Sequence, residues 1–408
     1  MEMSMRSRRE LTAVTTRGYR KADRRGKSQI LTHFCGSSGY NRAYAAMLLR
    51  GYAAARLVEG SSGVVQLRPS KRPRRGGGRP RVYDAQLQRV LVNLWGRFGY
   101  LCGKRLAPVL RGCIASIRRD RFLHPSAQLC AALGRISPAS IDRLLKPARQ
   151  KLQGKGRCHT RSSSALSQLI PVRSFGEFAS VPPGHGQLDT VGHDGGCASG
   201  EYAFTVALCD VCTSWTERRA VENRAFRWIQ PALDEIRHAI PFPLTHLHPD
   251  SGAEFINHNL YRYCQQHTIQ LTRSRAGHRN DNCWVEQKNF DTVRKLVGYV
   301  RYSSPEALRA LNELYRVQGL LQNYVLPSQK LLQKNRVGSR VSKRYDCPRT
   351  PAERVLSHPQ LSAQVKARVR KVLVSLDPLA LADQVAELQR KVFSLAQDQR
   401  QVLRAVPD

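Results

Sequence analysis

Hydrophobic positions in this chain change period twice. Over residues 83–151 the apolar residues Leu87, Val90, Leu91 and Leu94 recur every three or four positions and predict one face of a helix, closed by GRFGY. SAQLCAALGRISPASIDRLLKPARQKL then predicts helix, short turn, helix, with Ser137 as N-cap and Pro138 in the first helical position. The same period appears earlier. Ile30, Leu31 and Phe34 have helical spacing, CGSSGYN interrupts it at Gly36 and Gly39, and Asn41 stands where it can cap a second helix, RAYAAMLLRGYAAAR. Both segments predict helix-turn-helix shapes, which plain helical hairpins share.

After about residue 180 the period shortens to that of strands. GHGQLDTVGH predicts one strand and EYAFTVALCDVCTSWTERRAV a pair. ENRAFRWIQPALDEIRHAI predicts a helix, PLTHLHPD a strand, AEFINHNLYRYCQQH a helix, IQLTRS a strand and NCWVEQKNFDTVRKLVGYV a helix. Strands followed by alternating helices predict an α/β layer architecture. From 303 onward the helical period returns. Ser304 and Pro305 start a helix running to about Tyr324, KLLQKNRVGSRVSKRYD predicts a basic hairpin turning at Gly338, and a last helix begins at Asp377-Pro378. That helix carries Leu381, Val385, Leu388, Val392 and Leu395 at alternating spacings of four and three, a pattern that serves either a self-association seam or packing on its own domain.

The expected fold is therefore multidomain: a helix-turn-helix domain over 1–58, a Gly/Pro/Arg linker over 59–82, a second helix-turn-helix-like domain over 83–155, a mixed five-stranded α/β core over 173–302 and a mostly helical, basic region over 303–408. Within the linker, GGRPR has the look of a minor-groove reader with Arg79 at its centre.

Charge changes this picture most. The chain carries a formal net charge of +37, yet residues 173–300 hold 14 of its 30 acids and are nearly neutral. The surrounding segments are all strongly positive, as suits contact with phosphates. The 41% hydrophobic content excludes a disordered polycation. No run of apolar residues is long enough to span a membrane, and the basic N-terminus lacks a secretory apolar stretch. Eleven scattered cysteines predict reduced thiols and so a cytoplasmic location.

Three acids stand at informative places. Asp189 falls in the first core strand, Asp250 at the end of the fourth, and Glu286 in the helix after the fifth, with 60 and then 35 residues between them. Acids at strand ends and a helix start can converge, because sites in α/β sheets form at the carboxyl ends of strands. Three gathered carboxylates repel one another unless cations neutralise them. Mg²⁺ prefers carboxylate oxygens, and a pair of ions can align the attacking and leaving oxygens on one phosphorus. Other candidates have plainer readings. Cys209 and Cys212 have metal-ligand spacing but no second pair to complete a zinc site. His193 and Asp194 suit a turn, and Asp210 a structural role.

GQLDT, HPDSGAEFIN and NDNCWVEQKN, with their spacing, resemble the RNase H-like catalytic core of DDE transposases and retroviral-type integrases. The resemblance is closest to bacterial insertion-sequence transposases. It covers roughly 180–300, and GYRKADRRGKSQIL, ISPASIDRLLKPAR and KRYDCPRTPAERVL extend it more loosely into the flanks. It implies that Asp189, Asp250 and Glu286 are catalytic and hold Mg²⁺ or Mn²⁺, as two ions. It also implies strand cleavage at the element's terminal inverted repeats, transfer of the freed 3′-hydroxyls to target DNA, and a homo-oligomer on DNA. Where the family commonly has Asn after the second acid, this chain has Ser251, which with Glu254 is expected to orient the loop. The helix of Glu286 is expected to face DNA through Lys288, Asn289, Arg294 and Lys295, and the helical modules and linker through Arg42, Arg50, Arg143 and Arg79. An inactive DNA-binding regulator or relic with the same fold is the alternative. A free RNase H-type nuclease leaves the basic helical modules unexplained.

Overall fold

The computed structural model describes residues 3–51, 56–60, 63–67, 83–150, 171, 178, 180–250, 255, 257–275, 279–337 and 340–397. The chain forms two compact units, Met1–Arg81 and Val82–Asp408.

In the first unit, α1 (Met5–Lys21), α2 (Arg24–Ser38) and α3 (Arg42–Gly51) pack around Tyr19, Leu31, Phe34, Ala45 and Leu49. Asp23 caps α2 by accepting from Gly26 N at 2.8 Å. Gly36 lies inside α2, so only one of the two expected breakers acts. Gly39 stops the helix at φ 70°, a backbone state that glycine adopts without strain. Asn41 opens α3 as expected, accepting from Ala43 N at 2.8 Å. The expected linker begins differently: Arg56–Gly60 (β1) and Gly63–Leu67 (β2) pair as an antiparallel hairpin. GGRPR and Arg79 lie outside the described residues.

The second unit opens with five helices: α4 (Ala85–Arg97), α5 (Gly103–Gly112), α6 (Ile114–Arg119), α7 (Ala127–Arg135) and α8 (Pro138–Gln150). Ser137 caps α8 by accepting from Ser140 N. A mixed sheet follows, with strands β3 (His185–Gly192), β4 (Phe204–Asp210), β5 (Thr216–Val221), β6 (His246–Pro249) and β7 (Gln270–Leu271) in the spatial order β5-β4-β3-β6-β7. The first three are antiparallel, and β6 and β7 run parallel to β3. This is the mixed five-stranded sheet with helices expected from the sequence. Helix α9 (Phe226–Ala239) packs on β4 and β5, and α10 (His258–Gln266) lies beside α9 and β7. After β7, a 3-10 turn (Arg279–Asn282), α11 (Cys283–Asn289), a π-helical turn (Phe290–Arg294) and α12 (Lys295–Val297) form one interrupted helix. The C-terminal part contains α13 (Pro305–Leu320), a second π turn (Leu321–Val325), the hairpin β8 (Leu331–Val337) and β9 (Arg340–Tyr345), and then α14 (Pro351–Ser357), α15 (Ala363–Ser375) and α16 (Pro378–Ser394). Among the described residues, no helix is long and apolar enough to cross a membrane.

Strand β5 ends the sheet, and side-chain amides from α13 and its π turn finish its hydrogen bonding. Asn312 exchanges bonds with Ala220 N and O, and Asn323 does the same with Thr216. These amides stand where another strand would add, which closes an edge otherwise open to pairing.

Helices α4–α8, the sheet and the C-terminal helices share one hydrophobic core. Arg97 at the end of α4 ties them further, pairing with Asp120 at 2.6 Å and with Asp383 on α16. On α16, Leu381, Val385, Leu388 and Val392 are buried and the helix packs on α13, so the 4,3 spacing serves packing within its own unit.

Candidate active site

The register of β3 decides which residues share a face. Successive side chains on a strand point to opposite sides. Leu188 is fully buried, while Gln187 and Asp189 project to the side covered by α11. Gln187 pairs with Cys209 and Asp189 with Ala207 on β4, and Ala207 and Cys209 pack against Val285 of α11. On the other side, Leu188 pairs with Pro249, the last residue of β6. Asp189 and Asp250 are therefore the next residues along two parallel neighbouring strands.

The helix carrying Glu286 is pinned to this face. Gln187, with no exposed surface, donates from Nε2 to the Asp281 carbonyl at 2.7 Å. Its Oε1 accepts from Trp284 N at 3.1 Å and Val285 N at 3.3 Å, two first-turn amides that the helix itself cannot satisfy. Asn282 Nδ2 donates to the Leu188 carbonyl at 3.1 Å. The buried Asp281 carboxylate binds Arg275 through Nε at 2.8 Å and Nη2 at 2.9 Å. Sequence reasoning passed over Gln187, Asp281 and Asn282. The signal was there, since position 187 lies two residues before Asp189 and so on the same face.

Asp189 is half-buried. Oδ1 accepts from Thr190 N at 2.8 Å and Oδ2 from Asn289 Nδ2 at 2.7 Å. Its carboxyl is pushed up to about 8, first by burial and then by the charges of Asp250 and Glu286, against the lowering effect of those two hydrogen bonds. The structure thus brings the three acids within electrostatic reach, with Asp250 half-buried and Glu286 exposed.

The donors suit a hard divalent cation: three carboxylates from three elements, one of them held up by its neighbours' charge. Asn289 Oδ1 adds a buried oxygen without a hydrogen-bond partner among the described residues. Among those residues no three His, Cys, Asp or Glu side chains are gathered closely enough to enclose an ion. Ser251 and Glu254, in the loop after Asp250, lie outside the described residues.

The residues expected at DNA are in varied positions. Asn289 is buried against Asp189, which removes it from an outward-facing contact surface. Lys288 is half-buried, and burial lowers its pKa; the Cys209 thiol and the cations of Arg105 and Arg354 are its neighbours. Arg294 lies over the Tyr299 ring, and Lys295 pairs with Asp291 at 2.6 Å and lies over the exposed Phe290 ring. Arg42 is engaged within its own unit, donating to Ser28 and Thr32. Arg50 lines a shallow surface hollow with Ala43, Ala46, Met47 and Gly51. Arg143 is exposed and donates to Ser140.

Two other candidates have structural surroundings. Asp210 is fully buried and accepts from Gly184 N, Thr213 N and Thr213 Oγ1, so it organises the turn after β4. His193 is also fully buried, its Nε2 bonded to Thr205 Oγ1 at 2.7 Å, and burial lowers its pKa to about 3. It is a neutral core residue.

No family model matches the chain. Among solved structures it is similar to the catalytic core domain of BIV integrase, at 15% identity over 28% of this chain and 70% of that one, with a TM-score of 0.23. It is also similar to a simian T-cell lymphotropic virus intasome in complex with PP2A regulatory subunit B56 gamma, at 11% identity over 61% and 76% of the two chains, with a TM-score of 0.30. A curated protein of Sinorhizobium fredii (strain NBRC 101917 / NGR234), described as uncharacterized protein y4rM, is 36% identical over 353 residues, which span 86% of this chain and 96% of that protein. A match of that length takes in far more than the residues around the sheet, and on that extent the chain belongs to the same family as y4rM.

Proposed function

We propose that this chain is a DNA transposase, a polynucleotidyl transferase that binds the ends of its own element, cleaves strands there and joins them to target DNA. The observation that supports this reading is that Asp250, at the end of β6, and Glu286, on α11, lie near enough to Asp189 on β3 to act on its carboxyl, which burial and their charges push up to about 8. The three acids would hold Mg²⁺ or Mn²⁺, as two ions. When bound, the metal supplies Lewis-acid stabilisation of charge on the phosphorus oxygens and orients the attacking and leaving groups.

The chain's own residues set the frame for this. Gln187 and Asn282 fix α11 on β3, which sets the distance from Glu286 to Asp189. Asn289 holds one Asp189 oxygen in place through a neutral amide and leaves the carboxylate's charge uncompensated. The basic segments on either side of the core suit the polyanionic substrate, with the element's terminal repeats and the target duplex as partners and more than one copy of the chain on DNA.

The test incubates the purified chain with duplexes carrying the element's terminal repeats, with Mg²⁺ or with chelator. Metal-dependent 3′-end nicking, absent in Asp250→Asn, is expected. Specific binding of the ends without any cutting would replace the enzyme by a DNA-binding regulator.

A further inference from the structure

Among the described residues the hairpin β8–β9 is bonded to no other strand, since its two strands form a sheet of their own. Residues 331–345 contain five cations, Lys334, Arg336, Arg340, Lys343 and Arg344, and no acid. Leu331, Leu332, Val341 and Tyr345 are 41%, 61%, 40% and 45% exposed, so the ribbon covers no core of its own. An isolated two-stranded ribbon is marginal in water and needs either a packed face or a partner. Its register makes the need sharper, because position 334 pairs directly with position 343 and both are lysines. Like charges at opposed positions destabilise a ribbon, and a polyanion lying along it removes that cost.

The base of the ribbon is firmly held. Asp346 accepts from Lys330 N at 2.6 Å and from Arg354 Nη1 at 2.8 Å, and Arg354 Nη2 donates to the Ser328 carbonyl. Lys330 Nζ donates to the Val211 carbonyl at 2.8 Å and to that of Cys212, both in the turn between β4 and β5. The ribbon is thus anchored at its base to the sheet that carries Asp189. Strands about 4.8 Å apart with side chains on both faces fit the major groove of B-form DNA, about 12 Å wide, which admits a two-stranded ribbon.

We propose that β8–β9 is a DNA-docking ribbon that enters the major groove of duplex DNA. This rests on the reading of the chain as a protein that acts on DNA, and it adds the surface and the groove. Double-stranded RNA fits less well, because its A-form major groove is too narrow and deep for side chains to read. The exposed aliphatic residues suit contact with thymine methyl groups, and the cations contact with the flanking phosphates.

The test uses the full chain and a labelled random-sequence duplex, with binding followed by fluorescence anisotropy across a salt series. The double variant Lys343→Ala/Arg344→Ala is compared with Arg370→Ala/Lys371→Ala, which removes the same charge from α15. The ribbon variant should lower the slope of log K against log salt by about 1–2, the value for one or two lost phosphate contacts, and the α15 variant by much less. Guanine N7 methylation should weaken binding by the wild type and not by the ribbon variant. If the double variant melts early, Lys343→Gln carries the same comparison. Equal slopes for the two double variants, indifference to N7 methylation, or equal affinity for an A-form RNA duplex would overturn the ribbon. Wild-type protein that fails to bind any duplex would overturn the wider reading along with it.

Discussion

Gln187→Leu removes the pin between β3 and α11 while keeping the volume and apolar fit of the side chain. Three bonds disappear: the donation to the Asp281 carbonyl and the two acceptances from Trp284 N and Val285 N. A buried group left without its partner costs about 1–3 kcal/mol, and loss of a helix N-cap about 1 kcal/mol. The sum is a loss of about 2–4 kcal/mol. A change of 1 kcal/mol moves the melting temperature by about 1.5 °C in a unit spanning Val82–Asp408, so a fall of roughly 3–6 °C is expected by calorimetry on the full chain. The functional consequence is separate. If α11 shifts by about 1 Å, Glu286 moves off its alignment with Asp189, and a misplacement of that size costs about 100-fold in rate. Metal-dependent nicking, measured well below both melting temperatures, should fall by that order while binding of the element's ends holds. An unchanged melting temperature would show that the three bonds contribute nothing. A lowered melting temperature with full nicking would show that α11 is positioned by something other than Gln187.

The acids make the next predictions. The Asp189 carboxyl is raised from its ordinary 3.8 to about 8, so the neutral form is favoured in the folded chain; the stability this gives is complete below about pH 4 and is lost as pH rises through 8. Asp189→Asn should therefore melt above the wild type by an amount that widens from pH 5 to pH 8.5, about 1–3 kcal/mol at the alkaline end after solvent screening of a half-buried group; a constant gap, or a gap that added Mg²⁺ leaves unchanged, argues against burial and like-charge repulsion at Asp189. Asp250→Asn should keep its melting temperature and end binding yet lose nicking by orders of magnitude, whereas Glu254→Gln should lose less; normal nicking by Asp250→Asn would remove that acid from the site. Leu388→Ala on α16 should cost about 2–4 kcal/mol by denaturant titration with no change of mass by light scattering, because its side chain is buried in its own unit; a fall in mass would return the seam to self-association.

The layer order was legible because period alone separates strand from helix, and both turn chemistry and capping agreed with it at Ser137, Asn41 and Ser304. The packing of α16 was not, because a 4,3 apolar pattern is the same whether its partner is a second copy or α13 in the same chain. Nor was the merging of the helical segment 83–150 with the sheet. It depends on pairs such as Arg97 with Asp383, 286 residues apart, which no local pattern announces. At the site, spacing singles out Asp189, Asp250 and Glu286, but the groups that hold them depend on register. Gln187 reads from the sequence as an ordinary polar residue in a strand. Its importance comes from what lies above it, and only the crossing of α11 over β3 and β4 reveals that.

The surroundings of the acids distinguish those that brace the fold from the one proposed to bind a cation. Asp120 pairs with Arg97, Asp281 with Arg275, and Asp346 with Arg354, and in each case a guanidinium supplies the opposite charge. Asp210 is held by backbone amides and a hydroxyl deep in the core, where no solute can reach it. Asp189 differs from all of these. Its described hydrogen-bond donors, Thr190 N and Asn289 Nδ2, fix the direction of its oxygens without neutralising them, and its strongest electrostatic neighbours are two further carboxylates. In a chain of net charge +37, a lysine or arginine at position 289 would be unremarkable, and it would pair with Asp189 much as Arg275 pairs with Asp281. Such a pair would lower the Asp189 pKa and stabilise the apo protein, but it would place a fixed positive charge at the site proposed for a dication. The neutral amide of Asn289 keeps Asp189 oriented without supplying a positive charge, and that is the condition the proposed metal ion would need in order to bind there in preference to a neighbouring side chain.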